Sequence, residues 1–156
     1  MMLAPILSTA QQLTGLKPSQ TVLLYADSFE GNIDPVYGKE IVCGGFEMQE
    51  SNGLTGPETI NGKGILRNVS DLARVDLYFP KKPNGQMVVV CPGGGYVKLS
   101  TYGEGQYVAD WMLSKGITVA VVKHRMPEGH WNLPLEDVQN AFRYCRAHAA
   151  EWGISQ

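Results

Sequence analysis

The sequence predicts a single α/β domain built on a mostly parallel sheet. Residues 87–91 are wholly apolar, and residues 117–122 are apolar except for Thr118. Such segments form strands that are covered on both faces. Apolar residues recur at helical spacing in residues 104–115, between the two strands, and again in residues 134–152. The order strand, helix, strand, helix is that of a parallel βαβ unit with a right-handed crossover and helices covering the sheet.

Composition supports one packed domain and excludes several functional classes. The chain has 156 residues, of which 44% are apolar and 18% are charged, and its net charge is −2. Disordered chains are poorer in apolar residues and richer in charge, and general nucleic-acid binders carry a positive surface. The sequence has no run of about 18 apolar residues, which a membrane-spanning helix requires. We therefore expect neither a nucleic-acid partner nor a membrane partner.

Two further strands are predicted upstream of the βαβ unit. Residues 22–25 are a short apolar run in a region that is otherwise rich in Gly, Asn, Pro and acidic residues. Residues 72–79 alternate roughly between polar and apolar and end at Pro80, as a half-buried strand does. We therefore assign residues 17–156 to one domain.

The first sixteen residues are predicted to be either a flexible lead or the remnant of a signal peptide. Residues 1–7 are apolar but too few for a complete signal core, and the first basic residue is Lys17. Ser8-Thr9-Ala10 has the small-x-small form of a signal cleavage site. This pattern favours a periplasmic or secreted protein, and a cytoplasmic location is the alternative.

The cysteines predict neither disulfides nor a metal site. Cys43, Cys91 and Cys145 are widely spaced and odd in number, which fits neither a disulfide framework nor a zinc knuckle. We therefore expect three buried free thiols, no metal ion and no cofactor.

The sharpest local signal is Gly93-Gly94-Gly95, directly after a predicted buried strand. Three successive glycines destabilise a folded chain unless close approach or a positive φ requires them. A tight structural turn is one interpretation. A phosphate-binding loop is another, but the dinucleotide pattern Gly-x-Gly-x-x-Gly fails at Lys98, and residues 56–64 have the wrong spacing for a P-loop. The third is an oxyanion hole, in which backbone N–H groups bind a developing negative charge.

Further motifs surround the glycines. They are Val88-Val89-Val90-Cys91-Pro92 before the loop, then Tyr96, Glu104-Gly105, Val108-Ala109-Asp110-Trp111, Gly116-Ile117, Val122-Lys123-His124-Arg125, Pro134-Leu135-Glu136-Asp137 and Ala149-Ala150-Glu151-Trp152-Gly153-Ile154. Over about residues 74–154 the sequence resembles the α/β-hydrolase esterases. In particular it resembles the acetyl-xylan-esterase-like branch, which is related to the hormone-sensitive-lipase-like esterases.

The resemblance implies that residues 17–156 form the N-terminal part of an α/β-hydrolase fold. Such a fold has its strands in the order 1-2-4-3-5. The two early strands, then the strands at residues 87–91 and 117–122, would be its first four. The part expected here lacks the strand and elbow that carry the nucleophile.

The resemblance also implies ester hydrolysis through an acyl-serine intermediate. The expected substrate is a small acyl ester or an acetylated carbohydrate, such as acetylated plant polysaccharide. In such an enzyme Gly94 and Gly95 donate backbone N–H groups to the oxyanion and Gly93 allows their approach, so the three form the predicted oxyanion hole. Tyr96 is expected to line the acyl or alcohol side of the substrate pocket.

The glycine loop is the only part of the catalytic machinery that the resemblance finds in this sequence. The esterases carry the nucleophile in Gly-x-Ser-x-Gly after the next strand, with the acid and the histidine further on. Ser155 has Gly153 two residues before it but follows a predicted helix. We therefore expect the serine, the acid and the histidine beyond Gln156, and expect this chain alone to be inactive. The alternative is a non-catalytic α/β binding or interaction domain with a structural glycine loop.

The histidines and Asp137 have structural interpretations. His124 follows a buried strand where the esterases commonly have an aromatic residue beside a structural arginine, here Arg125. His130 lies in a loop and could reach the rim of the cleft, whereas His148 lies on the last helix beside its apolar face. An acid at the position of Asp137 anchors its helix and loop in this family, so we do not assign it to the triad.

The implied strand order makes residues 87–91 an edge strand in this chain, because the fifth strand would cover its free side. An uncharged edge that is apolar on both faces favours pairing with another chain. We expect either the C-terminal half of the fold or a second copy of the chain to cover this edge. The last helix would then expose part of its apolar face, namely Phe142, Cys145, Ala149 and Trp152.

Overall fold

The structure is a computed structural model, and it describes residues 15–25, 34, 36–39, 41–54 and 56–155. The predicted lead or signal remnant lies almost entirely outside the described residues, as does the Ser8-Thr9-Ala10 pattern. In the part of the chain that the structure describes, no helix is both long and apolar enough to cross a membrane.

The described residues form eight strands, one π-helical turn and two α-helices. The strands are β1 (Gln20–Tyr25), β2 (Val42–Phe46), β3 (Thr59–Ile60), β4 (Ile65–Arg67), β5 (Arg74–Tyr78), β6 (Met87–Val90), β7 (Leu99–Ser100) and β8 (Thr118–Lys123). The π-helical turn is Thr101–Gln106, and the α-helices are α1 (Tyr107–Leu113) and α2 (Asn132–His148).

The main sheet has five strands in the order β2-β1-β5-β8-β6. β5 is antiparallel to both of its neighbours, whereas β6 and β8 are parallel and are joined through α1. β1, β5, β6 and β8 are the four predicted strands, and they lie in the spatial order 1-2-4-3. The predicted α/β class and the strand order of the N-terminal part of an α/β-hydrolase fold are therefore confirmed. The main sheet is mixed, with two parallel and two antiparallel pairings, whereas a mostly parallel sheet was predicted.

The two apolar strands differ in burial. All six residues of β8 are buried, because the strand has a neighbour on each side and helices on both faces. Three of the four residues of β6 are only half-buried, because β6 is at the edge of the sheet among the described residues. The prediction that both strands are covered on both faces was therefore correct for β8 and wrong for β6.

The core around the main sheet has two layers, one on each face. The side of α2 contains Val22, Leu24, Tyr25, Ala73, Val75, Leu77, Ala120, Val122, Ala141, Tyr144 and Cys145. The side of α1 contains Tyr78, Val90, Ala109, Val119 and Val121. Successive residues of one strand point to opposite faces of a sheet, so β8 contributes to both layers.

The buried face of α2 differs from the predicted one. The helix begins at Asn132, two residues before Pro134, and ends at His148 with hydrogen-bonded turns continuing to Gly153. Leu135, one of the apolar residues at helical spacing in this segment, is 51% exposed, and Phe142, which was expected to lose part of its cover, is 43% exposed. Polar side chains occupy part of the buried face in their place, including Asp137 and Asn140. Of the four residues expected to lose cover, Cys145 and Ala149 are buried.

The region before β5 contains strands that the sequence did not predict. β2 pairs in parallel with β1, and β3, β4 and β7 form a small separate sheet. Residues 61–64 connect β3 to β4 as a turn in which the Asn61 side chain accepts the N–H groups of Lys63 and Ile65. This segment joins two antiparallel strands, so it has no P-loop architecture.

Charged side chains are buried where β5 and β8 lie side by side. Arg74 Nε lies 2.8 Å from Asp34 Oδ2, and the same guanidinium contacts Glu58. Lys123 Nζ lies 2.8 Å from Asp76 Oδ2, with both side chains almost fully buried. A buried charge is tolerated when it is paired, so these contacts stabilise the centre of the sheet only as intact pairs.

Candidate active site

A cleft of about 540 Å³ opens at the carboxyl ends of the parallel strands β6 and β8. The lining residues are Cys91, Pro92, Gly93, Gly94, Gly95, Tyr96, Lys98, His124, Trp131, Pro134, Leu135 and Val138. This edge of a parallel sheet is where α/β folds bind ligands. All four residues of the predicted site therefore line one cleft.

Gly93 is held at both of its peptide groups. Its N–H donates to Glu104 Oε2 at 2.7 Å, and its carbonyl accepts the N–H of Ser100 at 2.9 Å. A Cβ added at residue 93 would lie 2.8 Å from the same Glu104 oxygen. Glycine therefore permits the carboxylate to approach, but the N–H of Gly93 is already occupied.

Gly94 to Val97 form a tight turn. Val97 N–H donates to the Gly94 carbonyl at 3.3 Å, and the two central residues, Gly95 and Tyr96, have φ of +63° and +57°. Positive φ at both central positions is typical of a type I′ turn. A Cβ at Gly94 would lie only 1.9 Å from the Lys98 carbonyl oxygen, whereas one at Gly95 would meet nothing within 4 Å. Close approach thus requires glycine at 94, and backbone conformation favours it at 95.

The backbone N–H groups of Gly94 and Gly95 have no hydrogen-bond acceptor among the described residues. They are adjacent donors in a loop that lines the cleft. Two such donors are what an oxyanion hole requires. Of the three glycines predicted to form the hole, Gly93 differs from the other two because its donor is engaged by Glu104.

Tyr96 combines exposure with an unfavourable backbone. Its φ is +57°, a left-handed conformation that costs a non-glycine residue about 1 kcal/mol or more. Tyr96 is 63% exposed, and its ring centroid lies 6.2 Å from that of His124. Strained residues cluster at functional sites. Because the exposed side chain gains little burial to offset this strain, Tyr96 contributes little to stability. This is consistent with the pocket-lining role that we predicted for it.

His124 is the only one of the three histidines among the residues that line the cleft. It is buried, and its Nδ1 donates to the backbone carbonyl of Arg125 at 2.9 Å. A carbonyl only accepts, so Nδ1 carries the proton and Nε2 is left as an acceptor in the neutral ring. The other two histidines lie elsewhere: His130 Nδ1 is 2.7 Å from Glu50 Oε1, and His148 stacks on Tyr144.

Arg125 and Asp137 connect the end of β8 to α2. Asp137 Oδ2 accepts the backbone N–H of Arg125 at 2.7 Å, and Oδ1 accepts Nη2 of the guanidinium at 2.8 Å. The hydroxyl of Tyr25 donates to the same carboxylate. Burial is the largest cause that raises the pKa of Tyr25 far above its usual value, followed by the Asp137 charge. Asp137 is thus a fully engaged anchor between the end of β8 and α2.

Sequence reasoning missed Trp131 and Leu135 in the cleft. Trp131 precedes the first residue of α2 and is 78% exposed, and Leu135 is 51% exposed. The sequence signal for this wall was Trp131 itself, a large aromatic residue in a polar loop directly after His130. Both residues give the cleft an apolar wall that the glycine loop does not supply.

The cysteines take three different environments. Cys145 is buried, and burial raises the pKa of its thiol to about 12. Cys43 is half-buried and Cys91, in the cleft, is exposed, so the prediction of three buried thiols was correct for Cys145 alone. Within the described ranges no cluster of His, Cys, Asp and Glu could hold a metal ion.

The sequence matches the BD-FAE family over residues 75–156, which is more than half of the chain. The chain belongs to the BD-FAE family. The match begins in β5 and includes the glycine loop, His124, Trp131 and the whole of α2. Membership in an esterase-like family, expected from the resemblance, is therefore confirmed.

This BD-FAE member is also similar to characterised esterases. It is 38% identical to an acetylxylan esterase of Xylanibacter ruminicola over 95 residues, which is 60% of this chain and 20% of that protein. Esterase 2 of Thermogutta terrifontis with propionate bound has a TM-score of 0.47 and 21% identity, covering 56% of this chain and 35% of that one. Its butyrate-bound form has the same TM-score and identity, with 34% of that chain covered. The chain thus spans a fifth to a third of the length of these relatives.

Proposed function

We propose that this chain contributes the oxyanion loop and one cleft wall to a serine esterase. The reaction is hydrolysis of a small acyl ester through an acyl-serine intermediate. The observation that carries the proposal is that the N–H groups of Gly94 and Gly95, in a loop lining the cleft, find no acceptor within the described part of the chain.

The chemistry needs such a pair of donors. Attack on an ester carbonyl converts its oxygen into an anion, and donors fixed in advance stabilise that charge without reorganising. Gly93 is fixed through Glu104 and Ser100, and the positive φ of Gly95 and Tyr96 sets the turn. The loop is therefore preorganised, as an oxyanion hole must be.

The substrate class is an acetylated carbohydrate or a similarly small acyl ester. The relative from Xylanibacter ruminicola is named an acetylxylan esterase, which supports this class. The exposed rings of Tyr96 and Trp131 support it further, since both line the cleft and present apolar surface to a bound alcohol or acyl group.

The nucleophile, the acid and the histidine of the triad are assigned to sequence beyond Gln156. Ser155 does not fit the role of nucleophile, because its N–H donates to the Gly85 carbonyl and its side chain lies in a groove beside β6, away from the glycine loop. His130 and His148 are engaged outside the cleft. The described residues therefore offer a place for the oxyanion and a wall for the substrate.

The test begins with the reading frame after codon 156 and the protein that it encodes. We expect the frame to continue into a strand and Gly-x-Ser-x-Gly, and the whole protein to hydrolyse p-nitrophenyl acetate and take up a serine-directed covalent probe. We expect the 156-residue chain alone to hydrolyse the ester no faster than its Gly94→Val variant. Stoichiometric labelling of the short chain by the probe would contradict the assignment of the nucleophile. A whole protein without esterase activity would favour a non-catalytic binding domain.

A further inference from the structure

The carboxylate of Glu104 is bonded to the glycine loop and not to its own helix. Glu104 Oε2 accepts the N–H of Gly93 at 2.7 Å, across eleven residues of sequence. An acidic residue at the start of a helix ordinarily accepts N–H groups of its own first turn. Within the part of the chain that the structure describes, Gly93 is the hydrogen-bond partner of this carboxylate.

We propose that Glu104 is a positioning residue for the oxyanion hole, a role that rests on the proposed esterase function. By engaging the first N–H of the loop, Glu104 fixes the Gly93 peptide. The next two N–H groups, of Gly94 and Gly95, then remain as the donors for the substrate oxyanion. The residue acts through the loop and does not touch the reacting atoms.

The backbone that carries Glu104 is itself fixed from two sides. The N–H and the hydroxyl of Thr101 both donate to the Gly64 carbonyl, at 2.8 and 2.7 Å. A Cβ at Gly64 would lie 2.1 Å from the Tyr102 ring, so the hairpin between β3 and β4 packs directly on this turn. On the other side, a Cβ at Gly105 would lie 3.0 Å from Val121 of β8. The π-helical turn is therefore held between the small sheet and the main sheet.

Gly93 and Glu104 are complementary in shape as well as in hydrogen bonding. A side chain at residue 93 would place its Cβ 2.8 Å from the carboxylate oxygen. The contact therefore depends on both residues, and Gly93→Ala and Glu104→Ala should disturb the same interaction. Their effects on the loop should consequently be much less than additive in the double variant.

The negative charge of Glu104 strengthens its hydrogen bond to the Gly93 N–H, but it does not favour the oxyanion itself. A carboxylate near a developing oxyanion repels it, so the useful property is the acceptor oxygen and its geometry. Glutamine supplies a similar acceptor without the charge. Glu104→Gln is therefore expected to rescue what Glu104→Ala loses.

The experiment compares Glu104→Ala, Glu104→Gln and a control, Asp110→Ala, in the whole protein. Asp110 is an exposed acidic residue on α1, the helix that follows the same turn. Misplacement of the loop by Glu104→Ala should lower kcat by about tenfold to 10²-fold while KM changes little. Glu104→Gln and Asp110→Ala should keep kcat near the wild-type value, with all variants melting cooperatively.

A second readout does not depend on activity. The Gly93 amide proton should shift upfield in ¹H–¹⁵N spectra of Glu104→Ala, because a charge-assisted hydrogen bond is lost. The proposal is overturned if this amide does not move, if kcat of Glu104→Ala is unchanged, or if Glu104→Gln is as slow as Glu104→Ala. If the wild-type protein has no esterase activity, the proposed function fails. The amide shift then still decides whether Glu104 fixes the loop.

Discussion

Asp137 binds both the backbone and the side chain of Arg125. Its Oδ2 accepts the Arg125 backbone N–H at 2.7 Å, while its Oδ1 accepts Nη2 of the guanidinium at 2.8 Å, and both side chains are fully buried. One carboxylate thus fixes the loop after β8 against the first turns of α2. These two elements form one side of the cleft, so the pair determines the shape of the candidate site.

Removal of this carboxylate should strongly destabilise the fold. Asp137→Ala leaves a buried guanidinium without its main partner, which lowers the free energy of unfolding by about 3–5 kcal/mol. The control is Glu136→Gln, since Glu136 is partly exposed and contacts the same guanidinium at 3.3 Å. In this variant the free energy of unfolding should fall by about 1 kcal/mol or less. Urea unfolding measures both values, and equal losses would contradict the anchoring role of Asp137.

The buried ion pair of Asp34 and Arg74 predicts how the stability of the fold changes at low pH. Burial alone would raise the pKa of Asp34, but the charges of Arg74 and Lys123 outweigh it and hold the pKa below its usual value. A carboxyl whose pKa is lower in the folded state stabilises the fold above its unfolded pKa of about 4. That contribution is lost as the pH falls through the folded pKa.

Urea unfolding at a series of pH values measures this contribution. We expect Asp34→Asn to be less stable than wild type at neutral pH, with the difference narrowing below about pH 4. Asp71→Asn is the control, because Asp71 has an exposed hydrogen bond to Ser51. A difference that stays constant down to strongly acidic pH would contradict the prediction.

The glycine loop predicts different effects at two adjacent positions. A Cβ at Gly94 would collide with the Lys98 carbonyl oxygen, whereas Gly95 has open space around it. In the whole protein, Gly94→Ala should displace the donors and lower kcat by about 10². Gly95→Ala keeps its N–H in place and should lose about 1 kcal/mol of stability from its positive φ, with a smaller change in kcat. Equal rates for the two variants, with folding verified, would refute the loop geometry.

Tyr96 allows backbone strain to be separated from the role of the ring. Tyr96→Ala removes the ring but keeps a side chain at φ of +57°, whereas Tyr96→Gly removes both. We expect the free energy of unfolding of the glycine variant to be about 1 kcal/mol higher than that of the alanine variant. Both should weaken substrate binding equally, because both lack the ring. A stability ranking in the opposite order would show that the left-handed backbone carries no strain.

The sequence allowed the central strands and four of the residues that line the candidate cleft to be predicted, but not the contacts that shape the cleft. β1, β5, β6 and β8 carry long enough apolar patterns to be recognised. β3 and β7 have two residues each and no detectable periodicity. The glycine loop was identified by composition and resemblance. Its bond to Glu104 depends on a turn held by the small sheet, which no local pattern reveals. The apolar spacing in α2 did not show that its buried face also carries the polar side chains Asp137 and Asn140.

The free edge of β6 is an apolar surface without a strand partner among the described residues. A groove of about 470 Å³ runs along it, lined by Met87, Val89, Phe142, Cys145, Arg146, Ala149, Ile154 and Ser155. Main-chain groups on the free side of an uncharged edge strand favour pairing with another strand. Burial of one large apolar side chain stabilises by about 1.5–3 kcal/mol, so Met87, Val89 and Phe142 together give a substantial driving force.

We therefore predict that the isolated 156-residue chain self-associates through β6, or folds only partly, unless a strand from the remaining part of the protein covers the edge. Sedimentation velocity over a range of concentrations should show a species larger than the monomer. Val89→Lys places a charge in the groove and should shift the chain towards monomer. Val42→Lys, which adds the same charge on the opposite edge strand β2, should leave the association unchanged. A wild-type chain that stays monomeric at every concentration and melts in one sharp transition would contradict the prediction, because its β6 edge would then need no partner.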